Sequence, residues 1–101
     1  MRTDIVGRNI TVTDTLRGYV EKRTGKLERY LDAVQQVVCT FAKVSESSKT
    51  VEAELVVDVE HHPSFVAKAE SPTVEAAIDA ATDKMSRQLT DFKEKLKLNN
   101  R

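Results

Sequence analysis

The sequence predicts an α+β fold of order β-α-β-β-β-α, a four-stranded sheet with two helices packed on one face. Apolar residues recur with a period near 3.6 in two segments, and with a period of two in the stretches before and between them. At 101 residues the chain can bury one modest core and not two, so it reads as a single domain. Both helices and one face of the sheet have apolar surface to hide, and stacking them together hides it.

The opening "TDIVG" predicts a brief strand ending at Gly7. Thr13 then suits an N-cap, with Asp14 in the first turn where a carboxylate complements the helix dipole. Leu16, Tyr19, Val20, Leu27, Tyr30 and Leu31 mark one face of a helix over roughly residues 14 to 32. "QVVCTFAKV" follows as a β-branched strand with Val37, Cys39 and Phe41 on one side. "TVEAELVVDV" alternates Val51, Ala53, Leu55, Val57 and Val59 against Glu52, Glu54, Val56 and Asp58, which describes a strand with one buried face. "SFVAKAE" is a shorter strand with Phe65, Ala67 and Ala69 inward. Polar turns are expected at "SESSKT" (45–50) and at "EHHPS", where Pro63 breaks the ladder. Pro72 and Thr73 open the second helix, whose stripe of Val74, Ala77, Ile78, Ala81, Met85, Leu89, Phe92 and Leu96 is unbroken. An antiparallel meander is the economical pairing of the strands, and residues 98–101 read as a flexible tail.

Several function classes lack their residues. No apolar run approaches the roughly 20 residues of a membrane span, and "MRTDIVGRNI" lacks the apolar core of a secretory signal, so a cytoplasmic location is expected. The lone Cys39 alternates with core residues and has no partner for an internal disulfide. His61 and His62 are adjacent on an extended segment and tend to point opposite ways, so no metal site is expected. Ser45, Ser47 and Ser48 have no paired base, and the three glycines form no phosphate loop. Neither a cofactor nor enzyme activity is expected.

The charge is organised although its sum is zero, from 16 basic and 16 acidic residues. Lys84, Arg87 and Lys95 line up at i, i+3 and i+11 on the second helix, interrupted by Asp91, and residues 84–101 hold six basic and two acidic groups. Lys22, Lys26 and Arg29 share an edge of the first helix, at i, i+4 and i+7. Residues 45–70 invert the balance, with six acids against Lys49 and Lys68. Arg23 falls within the apolar stripe of the first helix, which makes sense if the stripe opens there into a groove between the helices, although pairing with Glu28 or another acid would serve equally. A groove with cations on both banks suits a phosphodiester backbone. The two tyrosines and three phenylalanines lie nearly all at stripe positions, so few rings are left for base stacking, and RNA shape and phosphate are the expected target.

Those features, with "DIVGRNITVTD", "TLRGYVEKRTGKLERYLD" and "AAIDAATDKMSRQLTDFKEKLK", make the chain resemble the ribosome hibernation promoting factors, also called ribosome-associated translation inhibitors. The likeness runs nearly end to end and is to the short form of that family. It implies binding to the small ribosomal subunit between head and body, over the tRNA and mRNA channel, and silencing of idle ribosomes in stationary phase or stress. It also implies a monomer off the ribosome that can act beside a separate ribosome modulation factor. The positions matching the family's rRNA contacts are Arg23 and Lys26 in the first helix and Lys84, Arg87, Lys93, Lys95 and Lys97 in the second. Lys22 and Arg29 are added from the helical wheel alone. Asp91, which stands where relatives often carry a base, Gly18 and Gly25 in the first helix, and "EHHPSF" in place of a glycine-containing turn depart from the family pattern. A small protein-interaction domain and a free double-stranded RNA binder are the alternative readings.

Overall fold

The computed structural model describes residues 2–29, 33–44 and 49–99. The elements follow the order β1 (Arg2–Arg8), α1 (Asp14–Gly25), a 3₁₀ turn (Lys26–Arg29), β2 (Val34–Lys43), β3 (Val51–Val59), β4 (His62–Ser71) and α2 (Val74–Asn99).

Both helices begin where their caps place them. Thr13 Oγ1 accepts from the Leu16 amide at 3.1 Å, and Thr73 Oγ1 accepts from the Ala76 amide at 3.1 Å. The first helix is shorter than its periodicity suggests. Gly25, a poor helix propagator, ends the α-helical part, and the 3₁₀ turn carries Leu27 into the core. The remainder of that expected helix, with Tyr30 and Leu31, lies outside the described residues, as do residues 45–48 of the polar turn.

The sheet has the order β1-β2-β3-β4. Strands β2, β3 and β4 form the expected antiparallel meander, but β1 lies parallel to β2, with Ile5 opposite Cys39. The sheet is therefore mixed. The reason is the crossover: α1 carries the chain back along the sheet, so β2 sets out from the same end as β1. The second expected turn is also tighter than "EHHPS". Only Glu60 and His61 lie between β3 and β4, with His61 at φ 61°. Pro63 sits inside β4, next to the register irregularity between Val57 and Val59, where an edge strand needs no amide from it.

Alternation decides the two faces. The inner row Ile5–Cys39–Leu55–Ala67 faces the helices, and the outer row Asp4–Val38–Val56–Val66 faces away from them. Leu16, Val20 and Leu27 meet Val37, Phe41, Leu55, Ile78, Met85 and Leu89 in one core, as the periodicities predict. The stripe on α2 outruns it, however. Leu89 is the last buried residue, Phe92 is half-buried, and residues 93–98 are all exposed, Leu96 among them. A 26-residue helix is about 39 Å long, more than the roughly 33 Å of a ten-residue strand, so its last turns project beyond the sheet. Residues 98 and 99, read as tail, are helical, while 100 and 101 lie outside the described residues.

Candidate nucleic-acid interface

Strand direction determines where the basic side chains gather. Strands β1, β2 and β4 point the same way, so α1 and α2, which follow β1 and β4, both return in the opposite direction. The C-terminal ends of the two helices thus lie at one end of the molecule. Lys22, Lys26 and Arg29 arrive there from the first helix, and Lys93, Lys95 and Lys97 from the projecting turns of the second. All six are exposed. Their local role is to complement the negative ends of two helix dipoles; their joint effect is a concentrated positive charge.

The groove between the helices differs from expectation. It is a cavity of about 300 Å³ lined by Arg23, Lys26, Asp79, Thr82, Asp83 and Ser86. One bank is basic and the other acidic. Arg23 does lie in the groove, half-buried, with its Nε 2.9 Å from Asp79 Oδ1 and a terminal nitrogen donating to the Tyr19 hydroxyl at 3.3 Å. That hydroxyl in turn donates to Asp79 at 2.8 Å. The hydrogen bond from Tyr19, then the charge of Asp79, hold the guanidinium pKa above its ordinary value.

The second basic set faces elsewhere. Lys84 Nζ donates to the Lys68 carbonyl at 2.7 Å, and Gln88 Nε2 donates to the Val66 carbonyl at 2.9 Å, so this flank of α2 leans on the edge strand β4. Asp91 and Lys95 continue the same flank at i+7 and i+11 from Lys84, and Arg87 is exposed beside it. Helical spacing places the row correctly but does not name the neighbour it faces. Among the described residues, Arg23 is the one cation of the nine that meets a carboxylate within ion-pair distance.

Along the β4 flank lies a second recess, of about 430 Å³, lined by His62, Phe65, Gln88, Asp91, Phe92, Lys95 and Leu96. The His62 ring stacks on Phe65 with centroids 4.3 Å apart, and Phe92 presents its edge at 4.5 Å from His62. Sequence reasoning misses this cluster. It places Phe65 and Phe92 on inward stripes, and only their half-buried state, at the margin where the core ends, leaves the rings partly open.

The outer sheet face is acidic on balance. Asp4, Glu52, Glu54, Asp58 and Glu70 stand there against Arg2, Arg8 and Lys68, and Lys68 is 3.4 Å from Glu54. Val66 and Val6 remain exposed among them. No group of three His, Cys, Asp or Glu side chains that could hold a metal occurs among the described residues. No described helix is long and apolar enough to cross a membrane.

Residues 3–97 match the family described as "Sigma 54 modulation protein / S30EA ribosomal protein". The chain is 41% identical over 97 residues to the ribosome hibernation promoting factor of Escherichia coli strain K12, covering 96% of this chain and 98% of that protein. It is 40% identical over 97 residues to the ribosome hibernation promoting factor of Azotobacter vinelandii, covering 94% and 85%. Its fold superposes on the crystal structure of the Thermus thermophilus Protein Y N-terminal domain with a TM-score of 0.80 at 31% identity, over 91% of this chain and 99% of that one.

Proposed function

Because the chain belongs to the Sigma 54 modulation protein / S30EA ribosomal protein family, we propose that it is a ribosome hibernation factor. In this reading it binds small-subunit ribosomal RNA over the channel used by tRNA and mRNA and holds idle ribosomes silent in stationary phase or stress. It works in the cytoplasm, without enzymatic chemistry, as a monomer that can act beside a separate ribosome modulation factor.

One observation carries the RNA-facing part of the reading. Lys22, Lys26, Arg29, Lys84, Arg87, Lys93, Lys95 and Lys97 are all exposed, and none meets a carboxylate within ion-pair distance among the described residues. Eight such cations on a chain of zero net charge, on elements that pack against the other side of the acidic sheet, suit a phosphate backbone. Arg23 has a different part. Held by Asp79 and Tyr19, it ties the helices together and orients the groove.

Sedimentation with purified small subunits tests this. Co-migration should weaken steeply with salt, because each neutralised phosphate releases condensed counterions. Changing Lys84, Arg87 and Lys95 together to glutamate should abolish it while leaving circular dichroism and melting near wild type. Binding that persists in that variant would refute the role of the flank. The exposed Val66 and Val6 on the outer face favour a second reading, a protein-interaction surface, and salt-independent binding would support it.

A further inference from the structure

The recess between β4 and α2 has a chemistry that phosphate binding does not use. Three half-buried rings, His62, Phe65 and Phe92, leave aromatic surface open to solvent inside a cavity of about 430 Å³. Its polar edge holds one group that accepts only, the Asp91 carboxylate. The Gln88 amide gives one N–H to the Val66 carbonyl and keeps its oxygen and a second N–H. Lys95 stands at the rim, with Lys84 and Arg87 further along the same flank. The occupant that fits is flat, apolar on its faces, supplied with a donor at its edge and attached to a polyanion.

We propose that this recess receives one unstacked nucleobase of the bound RNA, and that it prefers a base with an exocyclic amino group. The base stacks on the open aromatic surface, its amino group donates to Asp91, and the adjoining phosphates meet Lys95 and Arg87. Uracil, which offers O4 where cytosine offers an amino group, would bring a carbonyl against the Asp91 carboxylate. An apolar side chain of a partner protein could fill the same space, but it would give Asp91 and the neighbouring cations no part in the contact. The inference rests on the RNA-binding reading above, and the test separates the two.

The chain contains no tryptophan, so Phe92→Trp supplies a single reporter at the recess. The full-length variant is titrated at low salt with oligo-A, oligo-C and oligo-U RNA while its fluorescence is read. Phe92→Leu, which keeps an apolar side chain and removes the ring, is compared with wild type for binding to purified small subunits. Oligo-A and oligo-C should quench the reporter and bind about tenfold tighter than oligo-U. Phe92→Leu should lose roughly five- to hundredfold in subunit affinity with an unchanged salt slope, since every phosphate-binding cation is still present. Equal affinity for the three oligomers would overturn the proposed edge recognition. Full subunit binding by a folded Phe92→Leu would overturn the recess as a base site while leaving the RNA reading intact. Loss of subunit binding without any quenching by oligomers would assign the recess to a protein side chain and overturn the nucleobase. A wild-type protein that ignores salt would instead bring down the RNA reading, and this inference with it.

Discussion

Arg23 Nε lies 2.9 Å from Asp79 Oδ1, and the Tyr19 hydroxyl donates at 2.8 Å to the same carboxylate. A single acid on α2 thereby gathers the two polar side chains that α1 presents to the groove. The link crosses between the two helices and so constrains their rotation about each other. It also takes from the surface one cation that helical spacing alone would count as available.

Removing the acid should therefore act on stability and binding in opposite directions. In Asp79→Asn the Tyr19 hydroxyl keeps an acceptor, but Arg23 loses its counter-charge. Melting should fall slightly, and the log–log salt slope for small-subunit binding should steepen by about 1 as Arg23 turns to phosphate. An unchanged slope, measured by filter binding across salt, would show that Arg23 cannot reach the RNA. Tyr19→Phe should cost about 1 kcal/mol in chemical denaturation, the usual net worth of one hydrogen bond.

The projecting turns of α2 should contribute to binding without contributing to folding. Lys93 and Lys97 are exposed on a segment beyond the last buried residue, Leu89. Replacing both with glutamine should leave stability within about 0.5 kcal/mol of wild type. The salt slope should become shallower by about 2, one for each phosphate that is no longer neutralised. A fall in melting temperature would mean that these lysines hold structure.

Glycines at two places should respond with opposite signs. A Cβ added at Gly18 meets nothing, so Gly18→Ala should stabilise α1 by about 1 kcal/mol. At Gly7 the added carbon would run into the Ile10 carbonyl oxygen and the Val12 side chain, so Gly7→Ala should destabilise by about 1–3 kcal/mol. Urea midpoints at constant m-value check both.

Burial pushes the Cys39 thiol from an ordinary value of 9.0 up to about 12. Below pH 9 both the folded and the unfolded thiol are protonated, and stability does not depend on this group. Above it the unfolded chain sheds the proton that the folded chain keeps, so stability falls as pH rises, by at most about 1.4 kcal/mol per unit. Comparing wild type with Cys39→Ala between pH 8 and 11 should show this extra slope in the wild type alone. Equal slopes would place the thiol in contact with solvent.

Much of the fold is legible because alternation reports a face directly. Val37, Cys39 and Phe41, like Ala53, Leu55 and Val57, are buried where a period of two places them. The parallel pairing of β1 with β2 is not legible in the same way, since apolar pattern carries no strand direction; it follows from the helix between them. The site is legible as a set of charges and not as an arrangement. A helical wheel gives the angle of Lys84 about its own axis, but what lies at that angle is the Lys68 carbonyl of β4 and not the first helix. Asp79 and Asp83 fall in the groove for the same reason. The aromatic cluster needs the fold altogether, because Phe65 comes from β4 and Phe92 from α2.

The placement of Asp4, Glu52, Glu54, Asp58 and Glu70 on the outer face of the sheet has a consequence for kinetics. With a small excess of positive charge on the helices at the far side, the molecule is polarised at zero net charge. A polyanion approaching within about 10 Å repels the sheet and attracts the helices, turning the protein before any contact forms. Encounters would begin already aligned, and the arrival rate would fall as ionic strength rises.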